Sequence, residues 1–174
     1  MLVTMQREVF EEMEDEVLLY ACFKPLIQTY KEINSEGRDL ANFYSKMTSG
    51  QQALFIFRTY YSHVIESVQE LYWWSAFFLA QKPRWAALNE KMREIEDLEF
   101  VAFLQDVEAI LRTRNHPVLL TDFACVSRDD LDLDTGLRDF FQSAYERLTH
   151  ITIRTNELLA ALIRNSPDSF VKWS

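Results

Sequence analysis

The stretch SGQQALFIFRTYYSHVIESVQELYWWSAFFLAQ, residues 49–81, decides the fold class. Within it Leu54, Phe57, Tyr61, Val64, Val68, Leu71 and Ser75 recur three and four apart, the spacing that puts side chains on one face of an α-helix. Gln52, Thr59, His63, Glu66 and Glu70 form a polar stripe on the opposite side. Further along, that stripe runs into Trp73, Trp74 and Phe77. The pattern predicts one long helix from Thr48 or Ser49 to Gln81 that begins two-sided and finishes apolar all round.

Outward from this stretch the same period recurs. Val9, Phe10, Met13, Val17, Tyr20, Ala21, Ile27, Tyr30 and Ile33 predict a first helix over 3–34, with a kink or break at 22–25 because Pro25 removes a backbone donor. Asp39 suits the N-cap of a short helix to Met47, and Pro83 the first turn of one reaching Glu94. Asp97 opens a helix over 97–114, whose core side carries Phe100, Val101, Leu104, Val107, Ile110 and Leu111. Residues 117–133 lack clean periodicity and read as a packed connection with one helical turn. A last helix over 134–165 carries Leu137, Phe141, Ala144, Leu148, Ile151, Thr155, Leu158 and Leu162 at heptad-like spacing. The tail, about 166–174, is expected to pack back through Phe170 and Trp173.

Composition agrees. The 174 residues are 48% hydrophobic and 26% charged, and only three Gly and four Pro interrupt them, too few for the turns of a sandwich or barrel. The expectation is an all-α, single-domain, up-and-down bundle of five or six helices. A net charge of −9 without a basic patch argues against nucleic acid and anionic lipid surfaces. The longest charge-free apolar run, Leu71 to Gln81, is shorter than the roughly 20 residues of a membrane span. Cys22 and Cys125 have no partner motif and read as buried free thiols, and the N-terminus lacks the pattern of a secretory signal. A cytoplasmic protein is expected.

Chemistry-bearing patterns are sparse. His63 and Glu66 share one helical face, as do Glu146 and His150 on the last helix, a set that would suit zinc if the two faces met. Neither pair is the Glu-x-x-His of a carboxylate-bridged metal bundle, so a solvated stripe is the simpler reading. Asp130, Asp132 and Asp134 resemble the start of a calcium loop, but the sixth position is Thr135 and the twelfth Phe141 where Gly and Glu are required. No nucleophile elbow, phosphate loop or dinucleotide fingerprint occurs, and His116 nine residues before Cys125 is weak ground for a catalytic pair. The reading leans away from an enzyme and expects no cofactor. Trp73, Trp74 and Phe77 either cap a covered helix end or form a contact face for a homodimer or protein partner. A non-enzymatic interaction or regulatory module is the favoured expectation, with a small-molecule- or metal-binding bundle using His63, Glu66, Glu146 and His150 as the rival.

Overall fold

A computed structural model describes residues 1–174. The fold is all-α, a helical bundle with nine α-helices, two short 3-10 turns and one two-stranded sheet. The helices are α1 (Arg7–Glu12), α2 (Asp15–Ser35), α3 (Leu40–Ser45), α4 (Ser49–Val64), α5 (Val68–Leu79), α6 (Lys82–Glu94), α7 (Leu98–Thr113), α8 (Asp130–Leu133) and α9 (Thr135–Asn165). Nine replace the expected five or six because two long predicted helices are interrupted and a short α8 is added. No helix is long and apolar enough to cross a membrane. The chain divides into two compact units, Met1–Phe55 with Thr155–Ser174, and Ile56–Arg154.

In the first unit the predicted helix over 3–34 is broken in a different place from the one expected. Residues Val3–Met5 form a strand, β1, and the helix pauses at Met13 and Glu14, both extended. The Arg164 guanidinium holds that pause, donating to Asp15 Oδ1 (2.5 Å) and to the Met13 carbonyl (2.7 Å). Pro25 lies inside α2 and does not end it. A proline there forfeits one intrahelical bond, and the burial of Leu18, Leu19, Cys22, Phe23 and Leu26 around it outweighs that loss. Val9, Val17 and Tyr20, expected in the core stripe, are exposed instead.

The tail returns to the N-terminal strand. Val171–Trp173 forms β2, which pairs in parallel with β1. Phe170 is buried, and its ring stands 3.1 Å from where a Cβ on Gly50 would sit, so a larger residue there would have to push the ring back by a few tenths of an ångström. Thr48 and Gln51 cap α4 reciprocally, Thr48 Oγ1 accepting from the Gln51 backbone and Gln51 Oε1 from that of Thr48. The Gln51 amide also donates to the carbonyls of Met1 and Ser169, fastening both chain ends.

In the second unit the predicted 49–81 helix ends at Val64 and restarts at Val68. Ser67 is extended, and its hydroxyl accepts from the Glu70 backbone N–H at 3.1 Å, a serine N-cap. The Tyr145 hydroxyl donates to the Ile65 carbonyl at 2.7 Å, satisfying an acceptor freed by the break. Below the break, Phe57, Tyr60, Phe78, Phe100 and Phe103 interlock as a fully buried aromatic core, where Tyr60 bonds the buried Ser75 hydroxyl at 2.7 Å. Asp97 caps α7 through the Phe100 N–H (3.0 Å) and Asp134 caps α9 through that of Leu137 (2.9 Å).

The cap at Ser67 carries a prediction. Ser67→Ala removes the only side-chain acceptor given to the first turn of α5, and should lower unfolding free energy by about 1 kcal/mol while Ser67→Asp stays near wild type. Urea unfolding of the three proteins measures this.

Candidate functional site

The chemistry of the second unit gathers where α5 meets the segment joining α7 to α9, residues 114–134. Along α5, Tyr72, Trp73, Trp74 and Phe77 come from adjacent turns, and the crossing segment answers Tyr72, Trp73 and Phe77 directly. Phe123, in the 3-10 turn Leu120–Cys125, sets its ring edge-on to Trp73 and Phe77, both at 5.2 Å. The Arg128 guanidinium lies 4.4 Å from the Trp73 ring centroid and forks onto Glu70. That pairing holds the Glu70 carboxyl below its ordinary range, and the same carboxylate accepts from the Trp74 indole at 2.9 Å. His63 stacks flat on Trp74, 3.7 Å between centroids, and burial pushes its pKa down against the pull of Glu70 and Glu66.

Trp73, Trp74 and Phe77 are therefore half-buried, neither sealed in a helix end nor laid open as a face. Their cover comes from this chain's own Phe123, Arg128 and His63. The crossing segment supplies the open apolar surface instead. Val118 is 42% exposed, Leu119 58%, Leu120 49% and Leu133 86%. Residues 117–134 also carry five aspartates against one arginine, and that arginine is committed to Glu70.

Beside this ridge lies an open cleft of about 320 Å³. Pro117, Val126, Leu133 and Leu137 give it apolar walls, and Arg114, His116, Cys125, Asp130 and Asp134 give it polar ones. At its floor the Tyr72 hydroxyl stands 2.7 Å from His116 Nε2 and donates to Asp130 Oδ2 at 2.8 Å. The Ser127 backbone N–H donates to the same Asp130 oxygen, and His116 Nδ1 faces the Leu111 carbonyl at 3.2 Å. Burial first, then the bond to Asp130 and its charge, push the Tyr72 pKa up; burial pushes that of His116 down. Arg114 and Asp134 pair with each other at 3.2 Å.

The remaining expected residues do not assemble. Glu66 is exposed, Glu146 accepts from Gln142 on the surface of α9, and His150 is exposed. No three His, Cys, Asp or Glu side chains stand where they could hold a metal ion, so His63, Glu66, Glu146 and His150 form no cage. Cys22 is buried as expected, with its thiol pushed up to about 12 by burial, but Cys125 is exposed. It sits on a short 3-10 turn whose buried anchor is Phe123, which leaves the thiol outside. Tyr72, His116 and Asp130 were not among the expected site residues. The available signal was the tyrosine itself, since a buried phenol in an apolar helix has to find a polar partner.

No family model matches the chain, and no curated protein or solved structure matches it.

Proposed function

We propose that this chain is a non-enzymatic protein-interaction module whose contact surface is the ridge over α5. The observation that supports this reading is the exposure of Val118, Leu119, Leu120 and Leu133 on one crossing segment. Phe123, on the same segment, seats its ring on the half-buried Trp73 and Phe77 and so anchors the segment to an aromatic base. Apolar side chains left in water on so anchored a segment gain by being covered.

Charge selects the partner. A second copy docking through the same patch would set Asp122, Asp129 and Asp132 against themselves, because a two-fold contact matches each surface with itself. An apolar helix flanked by Lys or Arg meets both the leucines and the aspartates. The homodimer expected from the sequence is thereby the weaker form of the reading.

Two dye-labelled amphipathic peptides, identical in their leucine face but flanked by lysines or by glutamates, test it by fluorescence anisotropy. The lysine peptide should bind, weaken as salt is raised, and lose at least tenfold in affinity with Leu119→Ser or Leu133→Asp, two exposed positions whose replacement leaves the core intact. Equal binding of both peptides, or indifference to both variants, overturns the proposal. Dimerisation seen by light scattering and abolished by Leu133→Asp would assign the ridge to a second copy instead.

A further inference from the structure

The bonds at the cleft floor ask for one more proton than the groups ordinarily hold. His116 Nδ1 opposite the Leu111 carbonyl needs a proton on Nδ1. Tyr72 then has one hydroxyl proton and two neighbours at bonding distance, His116 Nε2 and Asp130 Oδ2. A neutral histidine, a neutral tyrosine and a carboxylate supply two protons for three bonds. With His116 neutral, as its burial favours, no imidazolium offsets the Asp130 carboxylate.

That charge has no cation of its own. Arg114 is taken by Asp134 and Arg128 by Glu70. Both donors to Asp130, the Tyr72 hydroxyl and the Ser127 N–H, use Oδ2, so Oδ1 is left without a protein donor. The carboxylate borders a cleft of about 320 Å³, the small end of the range in which proteins hold compact ligands, and Val126 and Leu133 wall it.

We propose that this cleft binds an organic ammonium group: a protonated amine on a short apolar stem, with Asp130 as counter-ion and Leu133 and Val126 against the stem. The inference does not depend on the ridge reading. A free small amine and the lysine side chain of a partner share this chemistry. Ligand and proton compete here. Protonating His116 completes the three bonds and cancels the Asp130 charge, so affinity is full above the His116 pKa and falls as pH drops through it. The groups facing His116 are Tyr72 from α5, the Leu111 carbonyl from α7 and Asp130 from α8, with Cys125 from the 3-10 turn and the Arg114–Asp134 pair lining the same cleft.

Calorimetric titration of the full chain with 2-phenylethylamine, its uncharged isostere 2-phenylethanol, and N-acetyl-lysinamide tests the proposal. At least one amine should bind tenfold or more tightly than the alcohol, and Asp130→Asn should erase that difference. Tighter phenylethylamine assigns a free amine, and tighter acetyl-lysinamide a lysine side chain. Lowering pH from about 7.5 through the His116 transition, which lies below the usual histidine value, should weaken amine binding severalfold in the wild type and not in His116→Gln. Leu133→Ala, at a solvent-facing position, should weaken binding without altering the melting temperature, which guards against loss of fold in the Asp130 variant. Alcohol binding equal to both amines, amine binding unchanged by Asp130→Asn, or no binding by any of the three overturns it.

Discussion

Phe100→Ala should lower the unfolding free energy of the Ile56–Arg154 unit by about 3–5 kcal/mol, the range for truncating a fully buried aromatic ring. Phe100 has no exposed surface, and its ring meets Phe57 at 5.4 Å, Phe103 at 5.7 Å and Tyr60 at 6.4 Å. Those three neighbours are pinned by their own helices, and Tyr60 also by its bond to Ser75, so the void cannot collapse fully. Phe100→Leu keeps most of the volume and should cost less than half as much. Urea unfolding followed by circular dichroism gives both values. A loss below about 1 kcal/mol for Phe100→Ala would mean that the aromatic core is not the main packing of this unit.

Where the sequence was legible, a backbone group needed a particular side chain nearby. Asp39, Asp97 and Asp134 stand at the helix starts assigned to them, because an aspartate there satisfies first-turn N–H groups wherever the rest of the chain goes. The break at Ile65 to Ser67 was harder to see. Val64, Val68 and Leu71 keep helical spacing straight across it, so the period gives no sign that the helix stops. Ser67 and Glu70 do have the spacing of a capping box, but the Glu70 carboxylate is spent on Arg128 and Trp74.

The candidate site was legible only on its α5 side. Trp73, Trp74 and Phe77 stand out at helical spacing, but their cover comes from Phe123 and Arg128, on a segment with no period. His116 and Asp130 lie 44 and 58 residues from Tyr72, separations that no local pattern spans. The first helix misled for a related reason. Its apolar residues are spaced for a helix throughout, and what interrupts it at Met13 and Glu14 is Arg164, a residue 151 positions from the carbonyl it binds.

Phe123→Ala should release the crossing segment while leaving the unit folded. The segment is fastened to α5 at three places: the Tyr72 hydroxyl, the Phe123 ring and Arg128. Phe123 is the buried apolar anchor of the 117–130 stretch, for it is 7% exposed whereas Leu119, Leu120 and Cys125 around it are exposed, and the next buried apolar side chain, Leu131, lies beyond that stretch. Removing that ring takes about 3–5 kcal/mol from an attachment whose polar bonds compete with water. Free energy of that size exceeds what a short surface segment ordinarily has in reserve, so opening should be local. Three readouts should move together: tryptophan emission shifts red as Trp73 loses cover, amide exchange speeds over 117–130, and Cys125 reacts faster with a thiol reagent. Arg128→Gln removes a partly exposed ion pair and should give a smaller change in the same direction. If Phe123→Ala instead lowers the global unfolding midpoint as far as Phe100→Ala does, the segment is an integral part of the core and the ridge above α5 has no independent mobility to offer a partner.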